Sequence, residues 1–318
     1  MRRLSFLSAL FLVACAGTQN APAAQETTPE SAPESAAADL FALPPGAEDG
    51  APNVELVSAG TAGEAQLIRL HAEEGYTQRM IMSTTMRMAI NMGTPVPPVE
   101  MPASHMVFAV RVTNTNDEGL SRRELLLEEV RVDEGPHHDI MEAELMPLQG
   151  MSGVEIVDAR GRTLFLSYDI PEGVSDATRA SLIRMQDVMK QVQPPFPIEP
   201  VAVGARWRVE SEIHNQVVMQ QVQEYELVER EGDRIVLQVT TTQSAQPQAM
   251  EVPQPGVTAR LISLNGEGRG RSEINLAQLA PNGMADVRVV LRSEITPDGQ
   301  PTVPMTMETQ VHVETAPR

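Results

Sequence analysis

Residues 78–92 read QRMIMSTTMRMAINM and hold Met80, Met82, Met86, Met88 and Met92, all at even positions. Met305 and Met307 repeat the M-x-M spacing near the C-terminus. Thioethers support two kinds of chemistry. As soft ligands they suit copper(I), and as flexible, polarisable apolar groups they suit irregular cores and adaptable greasy surfaces. In an extended strand alternate residues share a face about 7 Å apart, so each M-x-M pair presents two sulfurs and a cross-strand neighbour can supply a third. Thr84 and Ile90 share that parity, and no Cys or His does. The row therefore reads first as apolar packing, then as the lining of a cavity for a hydrophobic ligand, and last as a copper(I) site.

Other candidates are thinner. GPHHDIMEAE (135–144) carries His137, His138 and Asp139, with Glu134 just before. A loop could bring these to a zinc or nickel ion. No second cluster lies at ligand spacing, so His137 and His138 are read as solvated surface and no metal is expected. His71, His105, His214 and His312 are scattered. There is no cysteine nucleophile in the folded part and no G-x-S-x-G elbow, and Gly266-Glu267-Gly268-Arg269-Gly270 lacks the lysine and helix of a phosphate loop. The chain reads as a non-enzyme with no cofactor.

The elements that must carry these residues are mostly strands. Alternation of apolar and polar residues dominates from about Glu64 onward. A strand as long as 80–92 far exceeds the usual 5–6 residues and implies a large curved sheet or barrel. Met106 to Val112, Glu124 to Val132, a hairpin about Arg160-Gly161, one long strand from Trp207 to Met219, a hairpin about Glu231-Gly232-Asp233, and strands 268–275, 285–295 and 303–313 complete the pattern. One helix is predicted: Ser175 as its cap, an apolar stripe of Leu182, Met185, Met189 and Val192, and Pro194-Pro195 as its stop. The layout on either side repeats. Gly75-Tyr76 opens one set of strands, and Gly204-Ala205-Arg206-Trp207 opens the other. The predicted fold is mainly β: two similar long-stranded, antiparallel, half-barrel-like units, 53–172 and 194–318, joined by one α-helix over 173–193.

The start of the chain has its own chemistry. MRRLSFLSALFLVAC sets two arginines before an apolar stretch too short to span a bilayer. Its end, Leu12-Val13-Ala14-Cys15, resembles the lipobox of bacterial lipoproteins. That resemblance implies a signal peptide over 1–14 and lipidation of Cys15, the only cysteine present. Ala16 after the cysteine resembles the outer-membrane default. Residues 15–52 are rich in Ala, Pro, Ser and Glu and read as a disordered tether. Leu40-Phe41-Ala42-Leu43 within it is taken as an accident of composition. The single lipidated thiol leaves no disulfides, so the folded part must be held by its own core.

The formal charge of -19 argues against nucleic acid as a partner. Aromatics are 3% of the chain, too few for a sugar cleft of stacked rings. PPFPIEPVAVGARWRV (194–209), with its Val201-Ala202-Val203-Gly204-Ala205-Arg206-Trp207 step, resembles an uncharacterised family of β-rich bacterial lipoproteins. The resemblance implies a turn at Gly204, a packing role for Trp207, and no activity to carry over. Together these readings imply a membrane-anchored envelope lipoprotein, a non-catalytic binding or scaffolding module for an envelope protein. The alternative is a carrier of a lipid-like ligand.

Overall fold

The computed structural model describes residues 39–43, 52–93, 96–174, 179, 182, 193–214, 217–250, 252 and 256–318. The alternation that dominates the sequence becomes a run of antiparallel strands. The first group is β1 (Asn53–Ser58), β2 (Ala62–Gln66), β3 (Thr77–Asn91), β4 (Val99–Thr115), β5 (Ser121–Val132), β6 (Ser152–Val157) and β7 (Thr163–Asp169). The second is β8 (Val201–Val203), β9 (Arg206–His214), β10 (Val218–Glu231), β11 (Arg234–Ala245), β12 (Gln248–Met250), β13 (Val257–Asn275), β14 (Asn282–Pro297) and β15 (Val303–Pro317). A short helix, α1 (His138–Leu145), lies between β5 and β6.

The two groups form one sheet. Its order is β1-β9-β10-β11-β13-β14-β15-β3-β4-β5-β6-β7, with β12 continuing β11 along β13. The join is the C-terminal strand: β15 pairs with β3 from Thr306↔Asn91 to Pro317↔Met80. The sheet is not closed, and β1 and β7 are its two edges. Loops tie the far sides together at one end. The Phe196 N–H donates to the Arg160 carbonyl (2.8 Å) and the Leu70 N–H to the Ala159 carbonyl (2.7 Å), so the β6–β7 turn is held to the second group.

Directly opposed residues of an antiparallel ladder share a face, so the register carries one apolar face across the whole sheet. Three packed cores form on it. The first gathers Phe108, Val112, Leu127 and Val130 under α1, with Met141 and Leu145 from the helix. The second is built on Trp207, Tyr225, Leu227, Ile235 and Leu237. The third, at the other end of the long strands, holds Val217, Leu261, Leu264 and Leu291. The segment 68–72 and the β13–β14 loop each reach into the first two: Ile68 and Leu276 into the second, Ala72 and Leu279 into the first.

Three expectations change, and one strand starts earlier than expected. The strand expected from Trp207 to Met219 is a hairpin, β9 and β10, with Ile213 opposite Met219. Cross-strand partners share a face, so parity ran on through the turn. The stretch around His137 and His138, expected as loop, starts α1, entered through His137 at φ 69. Gly266, Gly268 and Gly270 lie inside β13; a Cβ on Gly270 would stand 2.8 Å from the Met284 carbonyl and 2.9 Å from Val239 Cγ1, so neighbouring strands close over this stripe. Finally, Leu40 and Ala42 sit against Val154, Ile156 and Phe165 on the outer face of β5–β7, lining a depression of about 330 Å³. The Leu40–Leu43 island is thus a docked element. The predicted helix over 173–193 falls mostly outside the described residues; of its central part, Arg179 and Leu182 are described and helical.

Candidate functional site

The row of methionines on β3 does stand on one face, and that face is the inner one. Met80 and Met82 are half-buried against the first core, opposite Phe108 and Met106 of β4. Met305 and Met307 pack on the third core. Between them lie Met86, half-buried, and Met88, which is fully buried at 2% exposure. Met92 lies one residue past the end of β3. The seven sulfurs are therefore spread along the face and do not gather at one point.

Two methionines of β4, not counted among the candidates, join this face. Met106 faces Met82, and Met101 faces Met86. A register shift between Thr84 and Met86 inserts an extra residue in β4, so odd-numbered Met101 shares the face with even-numbered Met106. Strict alternation could not have found it.

The middle of the inner face is largely apolar. Val287, Val311 and Val313 are half-buried there, while Val239 packs against the second core and Val289 against the third. Its polar inset is Gln243, whose side-chain amide donates to Gln221 Oε1 at 2.7 Å. The outer face is different in kind. Arg288 bonds Glu308 (2.9 Å), Arg234 bonds Glu273 (2.8 Å), and His312 lies between Asp286 (2.8 Å) and Glu314 (3.1 Å). Hydrogen bonds from Arg288 to Glu308, from Arg234 to Glu273, and from Arg271 and then Arg234 to Glu229 hold these carboxyls below the usual range. The hydrogen bond His312 donates to Asp286, then that to Glu314, raises the His312 pKa.

One outer cluster has the composition of a hydrolytic site. Ser83 Oγ lies 2.8 Å from His105 Nδ1, and His105 Nε2 lies 3.3 Å from Asp133. Ser83 sits mid-strand in β3, paired on both sides by β4 and β15. Its neighbouring N–H groups are committed to ladders, which leaves no donor pair for an oxyanion. The cluster is a cross-strand polar contact. His138 is likewise engaged: Nδ1 contacts the Asp133 carbonyl at 3.0 Å, which is the main cause of its raised pKa, and Nε2 lies 3.5 Å from Glu142. Among the described residues no group of three or more His, Cys, Asp or Glu is placed to hold a metal ion. No described helix is long and apolar enough to cross a membrane. Cys15 lies outside the described residues.

The Val201–Trp207 step, which the sequence singled out, is structural. Gly204 turns the chain at φ 87 between β8 and β9. Trp207 is fully buried, donates from Nε1 to the Pro195 carbonyl at 2.9 Å, and stacks on Tyr225 with ring centroids 5.5 Å apart.

The family of unknown function DUF6263 is matched by residues 182–278, a stretch that takes in this step and the whole of β8–β13. No curated protein matches the chain. Solved structures with some likeness include Pseudomonas aeruginosa OccK2 (OpdF), 7% identical over 76% of this chain and 98% of that one, at a TM-score of 0.20. Pseudomonas aeruginosa OpdQ is 6% identical over 76% and 98%, at 0.21. A mutant of the Rh. blastica porin is 7% identical over 74% and 100%, at 0.18. Scores at this level carry no argument about fold or function.

Proposed function

We propose that this protein is a non-catalytic binding module of the cell envelope, anchored through lipidated Cys15, that holds an acyl-chain-bearing ligand against its inner face. The observation that carries the reading is the contrast between the faces in mid-sheet. From β11 across to β3 the inner face carries half-buried Val287, Val311, Val313 and Met86 among glycines and threonines, while outer residues are ion-paired. Apolar side chains left partly exposed between the packed cores favour contact with something apolar. Methionine and valine suit an unbranched chain: valine supplies a smooth wall, and methionine adapts its shape at low strain. The net charge of -19 disfavours a ligand recognised mainly through an anionic headgroup, so the acyl portion supplies the affinity.

The test is a native mass spectrum of the chain from Ala16 onward, which lacks the anchor. An added mass of a lipid, released by organic solvent and restored from envelope lipid extract, is the expected result. A bare mass that stays bare after such incubation removes the reading. Mass analysis of the membrane-extracted chain, before and after a Cys15→Ser change, checks the anchor separately.

A further inference from the structure

We propose that residues 39–43 form a clasp across the seam of the open sheet, and that releasing it parts the β1 and β7 edges. Two observations meet here. The first is connectivity. β1 and β7 are the two edges, and no described strand pairs with the outward side of either. Leu40 and Ala42 sit at the β7 side, beside Val154, Ile156 and Phe165. Yet the chain runs on from Leu43 into β1 at Asn53, on the opposite edge. Fully extended, that connection reaches at most about 35 Å, so docking at β7 limits how far β1 can stand from it. The second observation is burial. Ile156 points to the outer face, opposite Arg122 and Phe165, but is only 3% exposed. On the same face the ion-paired Arg288 stays open, its side chain 51% exposed. Leu40 and Ala42 are the residues from outside the strands that line the depression next to Ile156.

The seam is held in two ways. Near the β6–β7 turn the Arg160 and Ala159 carbonyls accept backbone hydrogen bonds from Phe196 and Leu70. From that turn β7 runs out to Asp169, and the clasp lies along this stretch, its depression reaching Ser167 and Asp169. A few apolar contacts hold the seam there, and such contacts open more readily than a hydrogen-bonded tie. The clasp also lies between Cys15 and β1 in the chain, so a pull from the N-terminal side reaches Leu40 before it reaches the sheet. An opened seam gives an acyl chain a sideways route to the inner face. That consequence rests on the acyl-ligand reading, whereas the clasp itself needs no ligand.

The experiment places spin labels on cysteines substituted for Glu55, on β1, and Glu172, just past β7, both exposed, in the full chain carrying Cys15→Ser. The parent should give one narrow edge-to-edge distance. Leu40→Asp combined with Phe41→Asp should lengthen it by a strand spacing, about 5 Å, and speed deuterium exchange of the β6–β7 amides about tenfold. Met284→Asp, at an exposed outer position, should change neither. An unchanged distance or unchanged exchange in the double variant overturns the clasp. A broad distance in the parent overturns it too, even if the variant loses its fold. Where the parent carries lipid, its transfer to phosphatidylethanolamine vesicles should be several-fold faster in the double variant. Equal transfer rates with a widened seam remove the sideways route alone, and a parent without lipid removes the acyl-ligand reading while the label distances still decide the clasp.

Discussion

The β9–β11 and β3–β4 regions use the same antiparallel ladder and end in opposite conditions. Around Trp207 the face is sealed: Trp207, Leu227, Ile235 and Leu237 are all at 0% exposure, and the Trp207–Tyr225 rings stack at 10°. Around Met86 the same face carries methionine, valine and threonine, with Met86 and Val311 half-buried beside Met88 and Thr309 at 2% exposure. Backbone pairing is equal in both, so side-chain shape makes the difference. Rigid rings and branched chains lock into one packed arrangement, and unbranched thioethers tolerate several. The first region holds the fold, and the second is free to meet something else.

Substitutions can break this comparison. The largest effect is expected from Trp207→Ala, which removes a buried ring and its hydrogen bond and should cost about 3–5 kcal/mol, read as a lowered urea midpoint. A cost below about 1 kcal/mol would mean that this region is not the keystone. Arg123→Ala should follow at about 3 kcal/mol. Arg123 is a sealed charge on the first core, its side chain 4% exposed and 3.2 Å from Glu155, which would be left uncompensated. Glu155→Gln on top of it should restore part of the loss.

Met86→Asp sharpens the contrast from the other side. At an open position it should cost about 1 kcal/mol or less and leave the far-ultraviolet circular dichroism intact. Bound lipid should be lost. Unfolding on this one change would show that the methionine face is core after all.

The smallest effect lies on the outer face. His312→Ala should cost a few tenths of a kcal/mol, with a pH signature. The pKa of His312 is raised above its ordinary 6.5. Its contribution is thus fully present below pH 6.5 and is lost as pH rises through the raised value. Glu308, Glu273 and Glu229 are lowered from their ordinary 4.5 and contribute above it, fading as pH falls through their lowered values. Urea melts from mildly acid to alkaline pH, where Asp286 and Glu314 stay ionised, should show the wild-type advantage over His312→Ala shrinking on the alkaline side.

Much of the fold was legible because a half-buried strand writes its two faces into alternate residues. The long β3, the β6–β7 and β10–β11 hairpins and the paired M-x-M of β15 all appear that way. Failures came where two structures share one pattern. A hairpin keeps parity across its turn, so β9 and β10 looked like one strand. The bulge in β4 breaks parity, so Met101 was hidden. The α1 helix carries little apolar stripe and begins at left-handed His137 with no side-chain cap, so nothing announced it.

The candidate site divides along the same line. That Met80, Met82, Met86 and Met88 share a face follows from strand geometry and needs no partner. By itself the amino-acid order determined the β class and the alternating faces, along with a resemblance to a lipobox at Cys15, because each depends on residues near one another in the chain. Which methionines are packed and which are partly exposed was decided by pairings that periodicity does not show: β15 with β3 and β1 with β9 across the chain, and Met101 with Met86 through the β4 bulge. Local periodicity says which way a side chain points. Only the assembled sheet says what it meets, since closing contacts over two hundred residues apart depends on the summed packing of both groups of strands.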